Sequence, residues 1–294
     1  MAGYFHSAIV FLFCGALGFA IPPPAPTVTI APGVELPLVV LGTGSGQKGN
    51  VTLATQLWLQ STNGVGIDTA YDYMDEGSIA KGIAASGKER SQFFIETKIP
   101  CSTYEQAKAN FASNLEQLNL KFVDLTLIHF NKCDGAGSIA ETWKALEEGL
   151  QAGQTKAIGV SHFTREDLEQ LGSKPSVNQC ELSVSYHDDA TIQYCQQQGI
   201  VYQSFSPLCG GFNGSSCSAH GGKNVLTIPE VKKIAAVHNV SAAQVALKWI
   251  VQQGFPLATA TWRLDFMNED LDLWSWGNLS SSEMSTLSHI QPSL

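Results

Sequence analysis

Residues 123–163 read VDLTLIHFNKCDGAGSIAETWKALEEGLQAGQTKAIGVSHF. VDLTLIHF (123–130) is a short, largely apolar run of β type. IAETWKALEEGLQAG (139–153) carries Trp143, Leu146 and Leu150 at helical spacing, with Gly153 as a stop. AIGVSHF (157–163) is a second β-type run. A strand, a helix and a strand in that order form a crossover unit, which joins parallel neighbours in one sheet.

The same alternation extends in both directions. LVVLGTG (38–44), VGIDTA (65–70) and FFIETKI (93–99) precede the unit; SVNQCEL (176–182), IVYQSFS (200–206) and FPLATAT (255–261) follow it. A second amphipathic stretch, TYEQAKANFASNLEQLNL (103–120), places Ala107, Phe111, Leu115 and Leu118 on one helical face. Eight continuously apolar strands with crossover helices predict an α/β fold, a (β/α)8 TIM barrel with both faces of its sheet covered. An open doubly wound sheet is the alternative. It usually has a glycine-rich phosphate fingerprint after its first strand, and Gly42, Gly44 and Gly46 followed by Gln47-Lys48-Gly49 do not complete G-x-G-x-x-G. TVTIAPGVELP (27–37) predicts an N-terminal β-hairpin turning at Pro32-Gly33.

The chain has 294 residues, 44% hydrophobic and 15% charged, which excludes a disordered acidic protein. Seventeen basic against 26 acidic residues, net −9, and no basic run argue against nucleic acid as a partner. No heptad or isolated apolar patch calls for a second subunit, so the chain reads as a monomer. AIVFLFCGALGFA (8–20) carries no charge, is short for a bilayer span and ends in Gly18-Phe19-Ala20. It reads as a signal peptide, 1–20, leaving 21–294 as one barrel domain in the secretory lumen or outside the cell, away from membranes. Four sequons, at Asn50, Asn213, Asn239 and Asn278, are candidate glycosylation sites. Loss of Cys14 with the signal leaves six cysteines. Cys101 and Cys133 follow strands three and four, and Cys209 and Cys217 lie in the Gly/Ser-rich stretch 208–224; both pairs are candidate disulfides, against the alternative of free thiols. Cys180, in VNQCEL, reads as a buried free thiol.

Catalysis in such a barrel sits at the C-terminal ends of the strands. Strand two ends in Asp68 with Tyr73 five residues on, strand three in Lys98, and strand four in His129. Each alone has a structural reading: a cap, a packed aromatic, a core histidine. Together they suit proton delivery to a carbonyl oxygen. A buried Lys98 needs Asp68 as counterion, and its cation is expected to lower the Tyr73 phenol from about 10. His129 is placed to orient the substrate oxygen. The hydride must come from a cofactor, because no side chain supplies one.

These residues resemble the aldo-keto reductase family over nearly the whole mature length. The matching stretches are GIDTAYDYMDE (66–76), FFIETKIP (93–100), NLEQLNLKFVDLTLIHF (114–130), ETWKALEEGLQAGQTKAIGVSHF (141–163), PSVNQCEL (175–182) and VYQSFSPL (201–208). The resemblance implies that Asp68, Tyr73, Lys98 and His129 are the catalytic set, with Tyr73 as general acid. It implies a nicotinamide cofactor, NADPH or NADH, whose carboxamide meets Ser161 and Gln179 and whose ring stacks on Phe205. Ser206 and Leu208 then line the pyrophosphate path, and Thr43 lies near the ribose, beside Asp68. The substrate class it implies is a small aldehyde or ketone.

Three positions depart from the family pattern. His162 stands where Asn usually follows Ser161; it is still a cofactor-binding candidate, its imidazole expected to replace one carboxamide hydrogen bond but not both. Through and after strand eight the chain reads GFPLATATWRLDFMNED (254–270), with Arg263 as the one basic residue near Asp265, Glu269 and Asp270. That composition predicts a weak grip on an adenosine 2′-phosphate. His129 is followed by Phe130-Asn131 where His-x-Pro is common. Two function classes follow: a NAD(P)H-dependent carbonyl reductase, or a secreted barrel that kept the fold and now serves binding alone. Extracellular fluid is poor in reduced cofactor, which speaks for the second; the complete four-residue set speaks for the first.

Overall fold

The computed structural model describes residues 25–44, 50–133, 135–209 and 221–290. A hairpin, β1 (Thr27–Ala31) and β2 (Val34–Pro37), comes first. Its turn holds Pro32 and Gly33, the latter at φ 74°, a left-handed conformation that glycine adopts without a Cβ clash. Eight parallel strands follow: β3 (Val39–Gly42), β4 (Gly66–Asp68), β5 (Phe94–Ile99), β6 (Leu125–Ile128), β7 (Ile158–Ser161), β8 (Val177–Glu181), β9 (Val201–Phe205) and β10 (Leu257–Thr259). They close in the order β10-β3-β4-β5-β6-β7-β8-β9. Leu257 completes the ring, pairing with Val39 on one side and Ser204 on the other. The barrel and the hairpin are thus as the sequence pattern predicts.

The two helices expected from periodicity form as Tyr104–Leu118 and Ile139–Gln151. Each starts on a hydroxyl: Thr103 accepts from the Gln106 N–H and Ser138 from the Glu141 N–H, satisfying donors the first turn leaves orphaned. Their buried faces, Phe111, Leu115 and Leu118 in one and Trp143 and Leu146 in the other, pack in the apolar layer between helices and barrel.

Inside the barrel the strands differ from the expected continuous apolar runs. All six residues of β5, FIETKI, are buried, including Glu96, Thr97 and Lys98. The period of two along a strand sends Glu96 and Lys98 to one face. At the N-terminal end the lumen is apolar, and Ile30, Val34 and Leu36 of the hairpin press on Val40, Phe94, Leu125, Leu127 and Val177. The hairpin is therefore a plug in the floor, and the polar part of the lumen lies toward the C-terminal mouth.

Candidate active site

Strand register sets the levels of the site. Gly42 pairs with Asp68 and Asp68 with Glu96, while Ser161 pairs with Gln179 and Gln179 with Gln203 on the far wall. Lys98 Nζ forms a buried ion pair with Asp68 Oδ1 and donates to the Thr69 carbonyl at 3.1 Å. Asn114, from the helix Tyr104–Leu118, donates to Thr97 Oγ1 at 2.8 Å and to the Lys98 carbonyl at 3.2 Å, fixing the strand behind the lysine.

Tyr73 closes a single 3-10 turn, Tyr71–Tyr73, directly after β4. Its ring centroid is 5.2 Å from Lys98 Nζ, and its hydroxyl is 3.5 Å from His129 Nε2. Gly44 lies against it: a Cβ there would lie 2.5 Å from Tyr73 Cζ, so only glycine lets the ring take this position. Asp68, Tyr73, Lys98 and His129 thus meet at one mouth.

The electrostatics differ from the expectation for Tyr73. Burial raises the phenol above its ordinary 10 and outweighs the lowering by Lys98; Asp68 pushes it up further. The physical reason is that ionising a buried phenol costs more than Lys98, whose charge Asp68 already compensates, returns. Lys98 itself is opposed by burial, but Asp68, Tyr73 and Glu96 together hold it above its ordinary value, firmly cationic.

Sequence reasoning misses a second carboxyl in the lumen, Glu96, whose one signal is its place two residues before Lys98. Glu96 is fully buried, and burial first, then Asp68, raises it to about 8. Gln203 Nε2 donates to Glu96 Oε2 at 2.8 Å, while Gln203 Oε1 is buried with no partner among the described residues. Gln179 Nε2 bridges Glu96 Oε1 at 2.8 Å and Asp68 Oδ2 at 3.1 Å. Both amide hydrogens are thereby used, and Gln179 offers only Oε1 to a ligand.

Along the opposite wall, Ser161 Oγ donates to the Gln179 carbonyl at 2.9 Å. His162 has φ 64°, a left-handed conformation in which Asn and His are enriched among non-glycine residues. Its Nδ1 lies 3.0 Å from the His129 carbonyl and 2.9 Å from Ser161 Oγ. A carbonyl can only accept, so Nδ1 carries the proton and Nε2 is an acceptor. Burial pushes the ring down to about 4, so it is neutral. Phe205, half-buried at the end of β9, lies 4.7 Å from His162, and Phe130 stacks on His129 at 4.2 Å. Thr43 is buried, and its N–H donates to the Asp68 carbonyl at 3.0 Å. Ser206, at φ 52°, turns the chain out of β9, and Leu208 is half-buried beyond it.

Tested against a nicotinamide carboxamide, the wall offers three acceptors: Gln179 Oε1, His162 Nε2 and the lone pairs of Ser161 Oγ. They fit the amino group. The carboxamide oxygen is served when the Ser161 hydroxyl turns away from Gln179.

The outer end is different. Arg263 Nε donates to Asp265 Oδ1 at 3.0 Å, its second nitrogen pairs with Oδ2, and the guanidinium lies over Phe266 at 4.1 Å. Asp270, by contrast, turns inward: it is buried, accepts from Thr259 Oγ1 at 2.8 Å and is raised by burial to about 7.

The sequence profile of the aldo/keto reductase family matches residues 59–291. The chain belongs to the aldo/keto reductase family. It is 32% identical over 273 residues to morphine 6-dehydrogenase of Pseudomonas putida, covering 90% of this chain and 91% of that one. It is 33% identical over 264 residues to glyoxal reductase of Bacillus subtilis, covering 88% and 90%. The crystal structure of an aldo/keto reductase from Brucella melitensis superimposes with a TM-score of 0.80 at 27% identity, over 90% of this chain and 99% of that one. As a member of this family the chain is an oxidoreductase of carbonyl compounds. Membership does not favour a barrel kept for binding alone.

The cysteines complete the mouth. Cys101 and Cys133 form a disulfide that ties the segment after β5 to the segment after β6, next to Lys98 and His129. Cys209 is disulfide-bonded; Cys217, its expected partner, lies outside the described residues, as does the sequon Asn213. Cys180 is a free thiol, partly exposed rather than fully buried, and Cys195 is free and buried.

Proposed function

We propose that Tyr73 delivers the proton in carbonyl reduction, with Lys98, Asp68 and His129 setting its environment. The observation that carries this reading is the Tyr73 hydroxyl standing 3.5 Å from His129 Nε2, with Lys98 Nζ 5.2 Å from the same ring. The raised phenol keeps its hydrogen until a substrate oxygen arrives. The cofactor, when bound, supplies the hydride. Ser161, Gln179 and His162 hold its carboxamide, Phe205 covers its ring, Thr43 and Asp68 border the ribose, and Ser206 and Leu208 follow the pyrophosphate.

The 2′-phosphate grip is weak in this reading, because Arg263 is already paired with Asp265. NADPH is the expected reductant, with NADH a closer competitor than a free arginine would allow. Phe130 and Met74, 44% and 74% exposed, flank His129 and Tyr73, and they suit a small carbonyl compound with an apolar body. The mature domain is 21–294, a monomer, secreted or luminal. Asn50, Asn239 and Asn278 are exposed, as glycosylation requires, and a disulfide suits an oxidising compartment.

The test is cofactor oxidation, followed by absorbance, with aldehydes and ketones on the full secreted chain and both reduced cofactors. Tyr73→Phe is expected to lower kcat by roughly 10²–10⁴-fold, the usual range for a positioned general acid. Undiminished turnover in Tyr73→Phe removes the assignment.

A further inference from the structure

His129 has a partner that the mechanism above leaves unused. Asp72 precedes Tyr73 in the same 3-10 turn, and its Oδ2 lies 2.8 Å from His129 Nδ1. The carboxylate side chain is 40% exposed, while His129 is 5% exposed. A carboxylate accepts, so Nδ1 carries the ring's hydrogen. In the neutral ring Nε2 is then bare, and it is the nitrogen that faces the Tyr73 hydroxyl at 3.5 Å. That distance is long, as unliganded sites often are before substrate draws the groups together. Acid, imidazole and hydroxyl are thus in series, with the acid holding the tautomer and balancing the imidazolium when it forms.

We propose that Asp72 is a positioning residue that fixes the Nδ1–H form of His129, so that Nε2 exchanges a proton with Tyr73. This rests on the reading of Tyr73 as proton donor. In alcohol oxidation the phenol O–H proton moves to Nε2, leaving an imidazolium beside Asp72 and a phenolate. The phenolate takes the alcohol's hydroxyl proton, a bound oxidised cofactor would accept the hydride from its carbon, and the imidazolium releases its Nε2 proton to water. In reduction the order reverses: Tyr73 gives its proton to the carbonyl oxygen, to whose carbon a bound reduced cofactor would supply the hydride, and the imidazolium restores the phenol. The neutral ring cannot donate to a carbonyl oxygen from Nε2; only the imidazolium can.

The groups acting on the His129 charge are few. Burial lowers it below its ordinary 6.5, Asp72 raises it by hydrogen bond and charge, Lys98 lowers it, and Asp68 raises it. His162, with its ring 6.3 Å away, is neutral. Phe130 brings no charge. Removing the Asp72 carboxylate therefore moves the His129 titration to lower pH.

The experiment compares Asp72→Val, Asp72→Glu and Tyr73→Phe in the full chain. ¹⁵N NMR of the imidazole is expected to show Nδ1–H for neutral His129 in the wild type and a shift toward Nε2–H in Asp72→Val. Kinetically, Asp72→Val is expected to lose about tenfold or more in kcat with KM little changed, less than the roughly 10²–10⁴-fold expected for removing the acid itself. Its kcat limb governed by His129 moves to lower pH, and Asp72→Glu restores most of the rate. An Asp72→Val enzyme with the wild-type tautomer, or with wild-type kcat and pH limb, overturns the proposal. If Tyr73→Phe is inactive in that case, the reading of Tyr73 stands and only the role of Asp72 falls; a fully active Tyr73→Phe removes both.

Discussion

At the floor of the barrel, Leu36 and Val34 of the hairpin form one buried apolar cluster with Val40, Phe94 and Val177. At the mouth, a few residues up the same strands, Asp68, Glu96 and Lys98 are buried together with Gln179 and Gln203. Phe94, Glu96 and Lys98 share one strand and one face, so the change from oil to charge takes two residues. The floor gains free energy simply by losing contact with water. The mouth must balance every charge it buries, because an uncompensated buried ion costs far more than a hydrogen bond returns. The same fold therefore separates stability from chemistry along its axis.

Lys98→Met is the strongest way to break this contrast. It leaves Asp68 buried without its cation, which is expected to destabilise the protein by about 3–5 kcal/mol in chemical denaturation. Turnover is expected to vanish with it. A Lys98→Met protein of wild-type stability means the mouth tolerates an unpaired carboxylate, and the contrast fails. Leu36→Ala probes the other end. Leu36 is fully buried. Its truncation is expected to cost about 2–5 kcal/mol with kcat unchanged well below the melting temperature. A fall in kcat there means that floor and mouth are coupled.

Glu96→Gln gives the smallest and sharpest test. Glu96 is raised from its ordinary 4.5 to about 8, so the folded protein holds a proton that the unfolded chain releases. Its stabilising contribution is complete below about 4.5 and is lost as pH rises toward about 8. The amide of the variant carries no such dependence. Melting curves at intervals between these limits are expected to diverge in favour of the variant as pH rises, by roughly 2–4 °C for each kcal/mol involved. Parallel curves mean that Glu96 is ionised in the fold.

Much of the architecture is legible in one dimension. The period of 3.6, the short apolar runs, the Gly153 stop and the Pro32-Gly33 turn depend on near neighbours along the chain, so the eight strands, the hairpin and the helices 104–118 and 139–151 can be read directly. Asp68, Tyr73, Lys98 and His129 are legible because barrel topology sends consecutive strand ends to one place. Distances alone reveal the rest. Asp72 looks like an ordinary exposed acid until His129, 57 residues away, arrives at 2.8 Å. Gln179 and Asp68 meet across the lumen from 111 residues apart.

The direction of the Tyr73 shift also belongs to the tertiary structure. The residue types suggest a phenol made acidic by a lysine, yet burial and the Asp68 counterion reverse the sign. Local sequence determined which segments become strands and helices and which side chains stand at their ends, because those preferences act over a few residues. Only the closed barrel decided which charges compensate one another, how dry their surroundings are and which nitrogen of His129 carries the hydrogen, because desolvation and hydrogen bonding depend on neighbours brought from every strand.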